Sequence, residues 1–103
     1  MRQYQKIRIS EDARSDLKAL QEFLQFALSR RGAMLYIDAM MNEVLSIPVY
    51  ADLYRISRYA DILAIHPQAR HMVSHNKKWV YVFHITSDVV ILDRILPTKI
   101  IKH

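Results

Sequence analysis

Residues 70–96, RHMVSHNKKWVYVFHITSDVVILDRIL, contain only two places where the backbone readily reverses, which resolves the segment into three short strands in series. From residue 79 to 96 the side chains are mostly β-branched or aromatic, broken by the polar run Thr86-Ser87-Asp88. Upstream, polar and apolar residues alternate from Arg70 to His75 and reach Asn76-Lys77, where Asn tolerates the left-handed backbone of a tight hairpin. With two-residue loops at both turns, counting pairs 75 with 78, 73 with 80, 86 with 89 and 81 with 94. Alternation then collects Arg70, Met72, Trp79, Tyr81, Phe83, Leu92 and Arg94 on one face, and Val73, Val80, Val82, Val89, Ile91 and Ile95 on the other. The aliphatic face suits packing beneath helices, and the aromatic face with its two guanidinium groups suits an anionic partner. The competing reading makes the aromatics core and leaves the arginines reaching water at its rim, because a one-residue change in either turn exchanges the faces.

The N-terminal part reads as a strand and two helices. Lys6-Ile7-Arg8-Ile9 alternates as a half-buried strand does, and Ser10 is placed to cap a helix whose first turn holds Glu11 and Asp12. Ala13, Leu17, Leu20, Leu24, Ala27 and Leu28 recur at helical spacing, and Arg30-Arg31 before Gly32 reads as that helix's end. A second helix over residues 33–45 carries a stripe of Met34, Ile37, Met41 and Val44 or Leu45, with Pro48 limiting it. Methionines at that spacing, Met40 included, are core filler before they are an adaptable binding surface. Residues 47–66 are too apolar for a solvated loop and are expected to form one short helix plus a covering loop. The order predicts a single α+β domain over 1–103: an N-terminal strand, an antiparallel helix hairpin, then a three-strand antiparallel meander forming one sheet with helices on one face. The other face is expected to be free.

Charge and composition narrow the partners. The chain carries +5 at pH 7, with nine Lys/Arg against eight Asp/Glu in residues 1–65 and six against two in 66–103. All five histidines also lie in the second part. A cationic sheet points to an anionic partner, either nucleic acid or an acidic protein segment. No stretch approaches a membrane span, and with no cysteine the cytoplasm is the expected compartment. His71 and His75 share a strand face but lack a third ligand, so neither metal nor other cofactor is expected. No serine sits in a nucleophile-elbow context.

Taken in order, these pieces resemble the RelE/ParE superfamily of toxins from bacterial type II toxin-antitoxin modules. IRISEDARSDLKAL is similar to the family's first strand and its S-x-x-A-x-x-D-L entry into the first helix, and ARHMVSHNKKWVYVFHITSDVVILDRIL to its hairpin and V-x-I-L-R-I-L closing strand. Arg70 stands where the family often has an arginine in its second strand, and Arg94 matches the arginine of its last. Thr98-Lys99 resembles a Thr-Arg pair after that strand. Phe83-His84 stands where many members have Tyr-Arg, and Pro97 where many have His. The resemblance implies a toxin neutralised by a cognate antitoxin, acting on DNA gyrase or on ribosome-bound mRNA, with plasmid-stabilisation-like growth inhibition; homodimer formation is left open.

Enzyme or not is also left open. A metal-independent endoribonuclease would use Arg70 and Arg94 to clamp phosphate, Lys77, Lys78 or Lys99 to add charge, His71, His84 or His103 to transfer protons, and Tyr81 or Trp79 to stack a base. In the counted register His71 and His84 point to the helix side, away from the arginines. A gyrase-directed or degenerate toxin needs only a cationic docking surface. The alternative from another class is a non-toxic binding module that holds a protein helix or nucleic acid on its aromatic, cationic face.

Overall fold

The structure, a computed structural model, describes residue 4 and residues 6–100. Lys6–Ile9 forms β1, and Ser10 turns the chain into α1, Glu11–Ala27. The Ser10 hydroxyl accepts from the Ala13 N–H at 3.0 Å, as its position before two carboxylates predicts. α1 ends one turn earlier than the arginine-glycine signal suggested. Leu28 is extended, and Ser29 caps α2, Arg30–Tyr50, by accepting from the Gly32 N–H at 3.0 Å. Gly32 therefore sits inside the first turn of α2 and has no positive φ, and Arg30 and Arg31 belong to a helix start.

Pro48 lies in the last turn of α2, which runs on to Tyr50. The missing proline N–H falls close to a helix end, where burial of Ile47 and Pro48 offsets it. The buried stripe of α2 is Ala33, Ile37, Met40, Val44 and Ile47; Met34 and Leu45 face water and Met41 is half-buried. A 3-10 turn, Ala51–Leu53, and one helical turn, α3, Ala60–Leu63, fill the segment expected to hold a short helix and a loop.

The meander follows as β2, Arg70–Val73, β3, Trp79–Thr86, and β4, Val89–Pro97. The sheet order is β1-β4-β3-β2, with β1 parallel to β4 and the other pairs antiparallel. Both hairpins form in the expected place: Val73 pairs with Val80 and Thr86 with Val89. The first turn is held differently. Ser74 N–H donates to the Trp79 carbonyl at 2.8 Å, Asn76 uses its side-chain oxygen to accept from Lys78 N–H, and the left-handed residue is Lys77, not Asn76.

The register departs from simple counting at one place. A β-bulge opposite Val82 and Phe83 inserts Asp93, so Val82 pairs with Arg94 and Tyr81 with Ile95. Arg94 and Leu96 thereby join the face of Val80 and Val82, and Ile95 joins that of Tyr81 and Phe83. The assignment of faces to layers is also the reverse of the expected one. Tyr81, Phe83, Val90, Leu92 and Ile95 pack beneath α1 and α2 in the main core, where the aromatic area contributes most to burial. The aliphatic face is outermost and is partly covered by residues 57–69, whose Ile62 and Ala69 seat on Val80, Val82 and Leu96. The two long helices do occupy one face only; the other is not free.

Where β1 runs out, α1 continues the edge of β4. Ser10 N–H donates to the Leu92 carbonyl, its hydroxyl donates to the Asp93 carbonyl, and the Asp16 carboxylate accepts from the Ile95 N–H. Side chains of the helix thus satisfy strand groups that a fifth strand would otherwise take.

Candidate functional site

Arg70 and Arg94 do not form a pair. Arg70 is the cross-strand partner of Phe83 and points to the helical side, while the bulge sends Arg94 to the opposite side. Each has a structural occupation. Arg70 Nη1 donates to the carbonyls of Tyr54 at 2.7 Å and Ala51 at 3.3 Å, closing the exposed end of the turn after α2. Arg94 grips Asp16 bidentately, Nε to Oδ2 at 2.8 Å and Nη2 to Oδ1 at 3.0 Å. Those hydrogen bonds to Asp16 push the Arg94 pKa above its ordinary value, with burial opposing. Arg70 Nη1 and the Nε and Nη2 of Arg94 are thus engaged within the fold, and the two guanidinium groups do not face one anionic partner together.

Tyr81 is likewise removed from any stacking role. It is fully buried under α2, and its hydroxyl donates to Glu43 Oε2 at 2.9 Å. Burial first, then the Glu43 hydrogen bond and charge, push its pKa well up. The same carboxylate accepts from the His75 N–H, and Tyr36 accepts from Trp79 Nε1 at 2.8 Å and from Asn76 at 3.0 Å, so the β2–β3 hairpin is tied to α2 through polar groups. Trp79 is half-buried in that network.

The lysines are what the fold does bring together. Lys77 and Lys78 are exposed in the β2–β3 turn, and Thr98 N–H donates to the Lys78 carbonyl at 2.9 Å, which seats the 3-10 turn Thr98–Ile100 with exposed Lys99 beside them. Three cations from two distant segments therefore share one end of the sheet, and His75 stands exposed in the same turn region as Lys77 and Lys78. At the other side of β2, an open groove of about 680 Å³ is lined by Leu53, Ile56 and Val73 together with Arg55 and Arg58. Among the described residues no carboxylate lines it. Phe23 and Phe26 add an exposed apolar spot near the end of α1, Phe26 being 94% exposed.

Both histidines expected on the helical side lie on the outer one. His71 pairs with Val82, and its ring lies 5.4 Å from that of Tyr59. His84 Nδ1 meets Asp93 Oδ2 at 2.6 Å, and the ring of His66 stacks on His84 at 3.7 Å and 6°. The register counted from the two turns already puts His84 and Asp93 on one face, so their contact is within reach of the sequence. The His84 and Asp93 side chains are only 13% and 14% exposed, which closes them to a ribose in this conformation. His103 lies outside the described residues. Among the described residues no group of three His, Cys, Asp or Glu is arranged to hold a metal ion.

No family model and no curated protein matches this chain. Among solved structures, a chain of the chromosomal ParDE TA system from P. aeruginosa is similar in fold, with a TM-score of 0.76 at 14% identity, over 91% of this chain and 96% of that one. No helix among the described residues is long and apolar enough to cross a membrane. The resemblance read from the order of strands, helices and motifs is thus matched by a resemblance of fold across nearly the whole of both chains.

Proposed function

We propose that this chain is the toxin component of a type II toxin-antitoxin module, covered by a cognate antitoxin and acting by docking on its target rather than by cutting RNA. The likeness of fold to a chain of the ParDE TA system, end to end in both, carries the reading. Its target is DNA gyrase, approached through the lysine-bearing end of the sheet formed by Lys77, Lys78 and Lys99. Engagement of Arg70 by carbonyls and of Arg94 by Asp16, with Tyr81 buried, supports docking over phosphate cleavage. The apolar and arginine-flanked groove beside β2 supports an antitoxin segment that mixes aliphatic and carboxylate side chains.

Induction of the chain alone in a bacterial host, with growth, plasmid supercoiling and transcript integrity followed together, tests this. The expected result is arrested growth with relaxed plasmid and intact transcripts, relieved by replacing Lys77, Lys78 and Lys99 with Ala. Unimpaired growth would leave the non-toxic binding module as the reading. Cleaved transcripts would restore the endoribonuclease.

A further inference from the structure

α1 carries apolar side chains on a face that the core does not use. Its buried residues are Ala13, Leu20 and Leu24. Ala19, Phe23 and Phe26 recur at intervals of four and three, which at 3.6 residues per turn gathers them within about 60° of one another on a different side of the helix. All three are exposed, Phe23 by 64% and Phe26 by 94%. The two rings alone present on the order of 300 Å² of apolar surface, comparable to the largest patch on many monomers. Intervals of four and three are also the spacing by which two helices pair lengthwise.

The charges around this face are sorted by position along the helix. Glu11 and Asp12 occupy the first turn of α1, and Arg30 and Arg31 stand just past its far end, in the first turn of α2; all four are exposed. Seventeen residues at 1.5 Å each put the two groups about 25 Å apart, so they do not meet within one molecule. The first turn of α2 contains no acid, which leaves both guanidinium groups against the positive end of their own helix dipole. A lipid surface or a nucleic acid fits such a face poorly, because Glu11, Asp12 and Glu22 lie along the same helix. A second copy of the chain fits it. Turned antiparallel about a two-fold axis near Phe23, two α1 helices bring Phe23 to Phe23 and Ala19 to Phe26, the small residue leaving room for the large one. The same rotation carries the acidic first turn of each copy toward Arg30 and Arg31 of the other, whereas a parallel pairing would set like charges together. Lys18 and Glu22, four apart, border the face and are close enough to pair within their own helix.

We propose that Ala19, Phe23 and Phe26 form a self-association face through which two copies of the chain pair α1 against α1, antiparallel, with Glu11 and Asp12 of each copy facing Arg30 and Arg31 of the other. A single helix pair buries less than the roughly 800 Å² per partner of a standard interface, so the dimer is concentration-dependent, with micromolar affinity. The face shares no residue with the lysine end of the sheet or the groove beside β2, and the pairing is therefore tested independently of the proposed function.

Sedimentation equilibrium of the purified full chain over roughly 5–500 μM, a range that brackets micromolar affinity, tests the pairing. The mass should rise with concentration from 12.2 kDa toward twice that value. Phe26→Asp, at a site already in water, should keep the fold by circular dichroism and stay monomeric throughout. A variant with Arg30→Glu and Arg31→Glu and another with Glu11→Lys and Asp12→Lys should each lose the dimer alone and recover it when mixed, since only the mixture sets opposite charges together at both ends. Should a charge variant fail to fold, Phe23→Cys in a chain that otherwise lacks cysteine should link two copies under mild oxidation. A wild-type chain that stays monomeric, a dimer that persists in Phe26→Asp, folded charge variants that do not pair when mixed, or a Phe23→Cys chain that does not link would each overturn the proposal, the first leaving the face to a different protein.

Discussion

Asp16 holds more of this fold than its place on a helix surface suggests, and removing it separates two effects. Its carboxylate accepts from Arg94 Nε and Nη2 and from the Ile95 N–H at 2.8–3.0 Å. The Arg94 side chain is 36% exposed, so solvent screens the ion pair and its loss costs about 1 kcal/mol. The Ile95 N–H belongs to a buried residue at the strand edge, and leaving it without an acceptor costs about 1–3 kcal/mol more. Asp16→Ala should therefore destabilise by about 2–4 kcal/mol, and Arg94→Ala by about 1 kcal/mol because Asp16 still caps Ile95. At roughly 4–8 °C per kcal/mol for a domain of this size, the first loss is roughly 8–32 °C in Tm and the second roughly 4–8 °C. Asp16→Asn retains an oxygen for Ile95 and should fall near Arg94→Ala. Thermal and urea denaturation of the three variants measure the order. Equal losses in Asp16→Ala and Arg94→Ala would refute the edge-capping role, and growth inhibition that vanishes in a fully folded Arg94→Ala would return Arg94 to the functional site.

Two further outcomes concern the Tyr81–Glu43 contact. Glu43→Ala strands a buried hydroxyl and should cost about 1–3 kcal/mol in urea denaturation, more than Tyr81→Phe, which leaves Glu43 its bond to the His75 N–H. The raised Tyr81 pKa means that the neutral phenol is favoured in the folded chain. Its contribution is full below about pH 10, the unfolded value, and declines as pH rises further, so Tm should drop more steeply from pH 9.5 to 11.5 in the wild type than in Tyr81→Phe.

Local signals in this sequence were legible because local chemistry decides them. The alternation of residues 6–9, the Ser10 cap and the Thr86-to-Val89 reversal all depend on a few neighbouring atoms, and they stand as read. Gly32 misled because a glycine after two arginines also fits the first turn of a helix capped by Ser29, and the serine three residues earlier was the stronger sign. The two sheet faces could not be told apart by alternation, since both are apolar. What decides between them is which face the helices cover, and the large aromatic area of Tyr81 and Phe83 takes that place. The arginine pair failed with the register: a single uncounted residue, Asp93, turns Arg94 over. The lysine end was named residue by residue, but its assembly depends on Thr98 meeting Lys78, a contact between distant positions that no local pattern encodes.

The bulge at Asp93 also governs how this strand is to be lined up with others of its kind. Upstream of it, even-numbered positions of β4 such as Leu92 look toward the helices; downstream, odd-numbered ones such as Ile95 do. A gapless match to a relative with an unbroken ladder would set inward residues against outward ones over half the strand, giving low identity where side chains in fact occupy the same places in space. An alignment that opens one position at residue 93 brings the two halves back into phase.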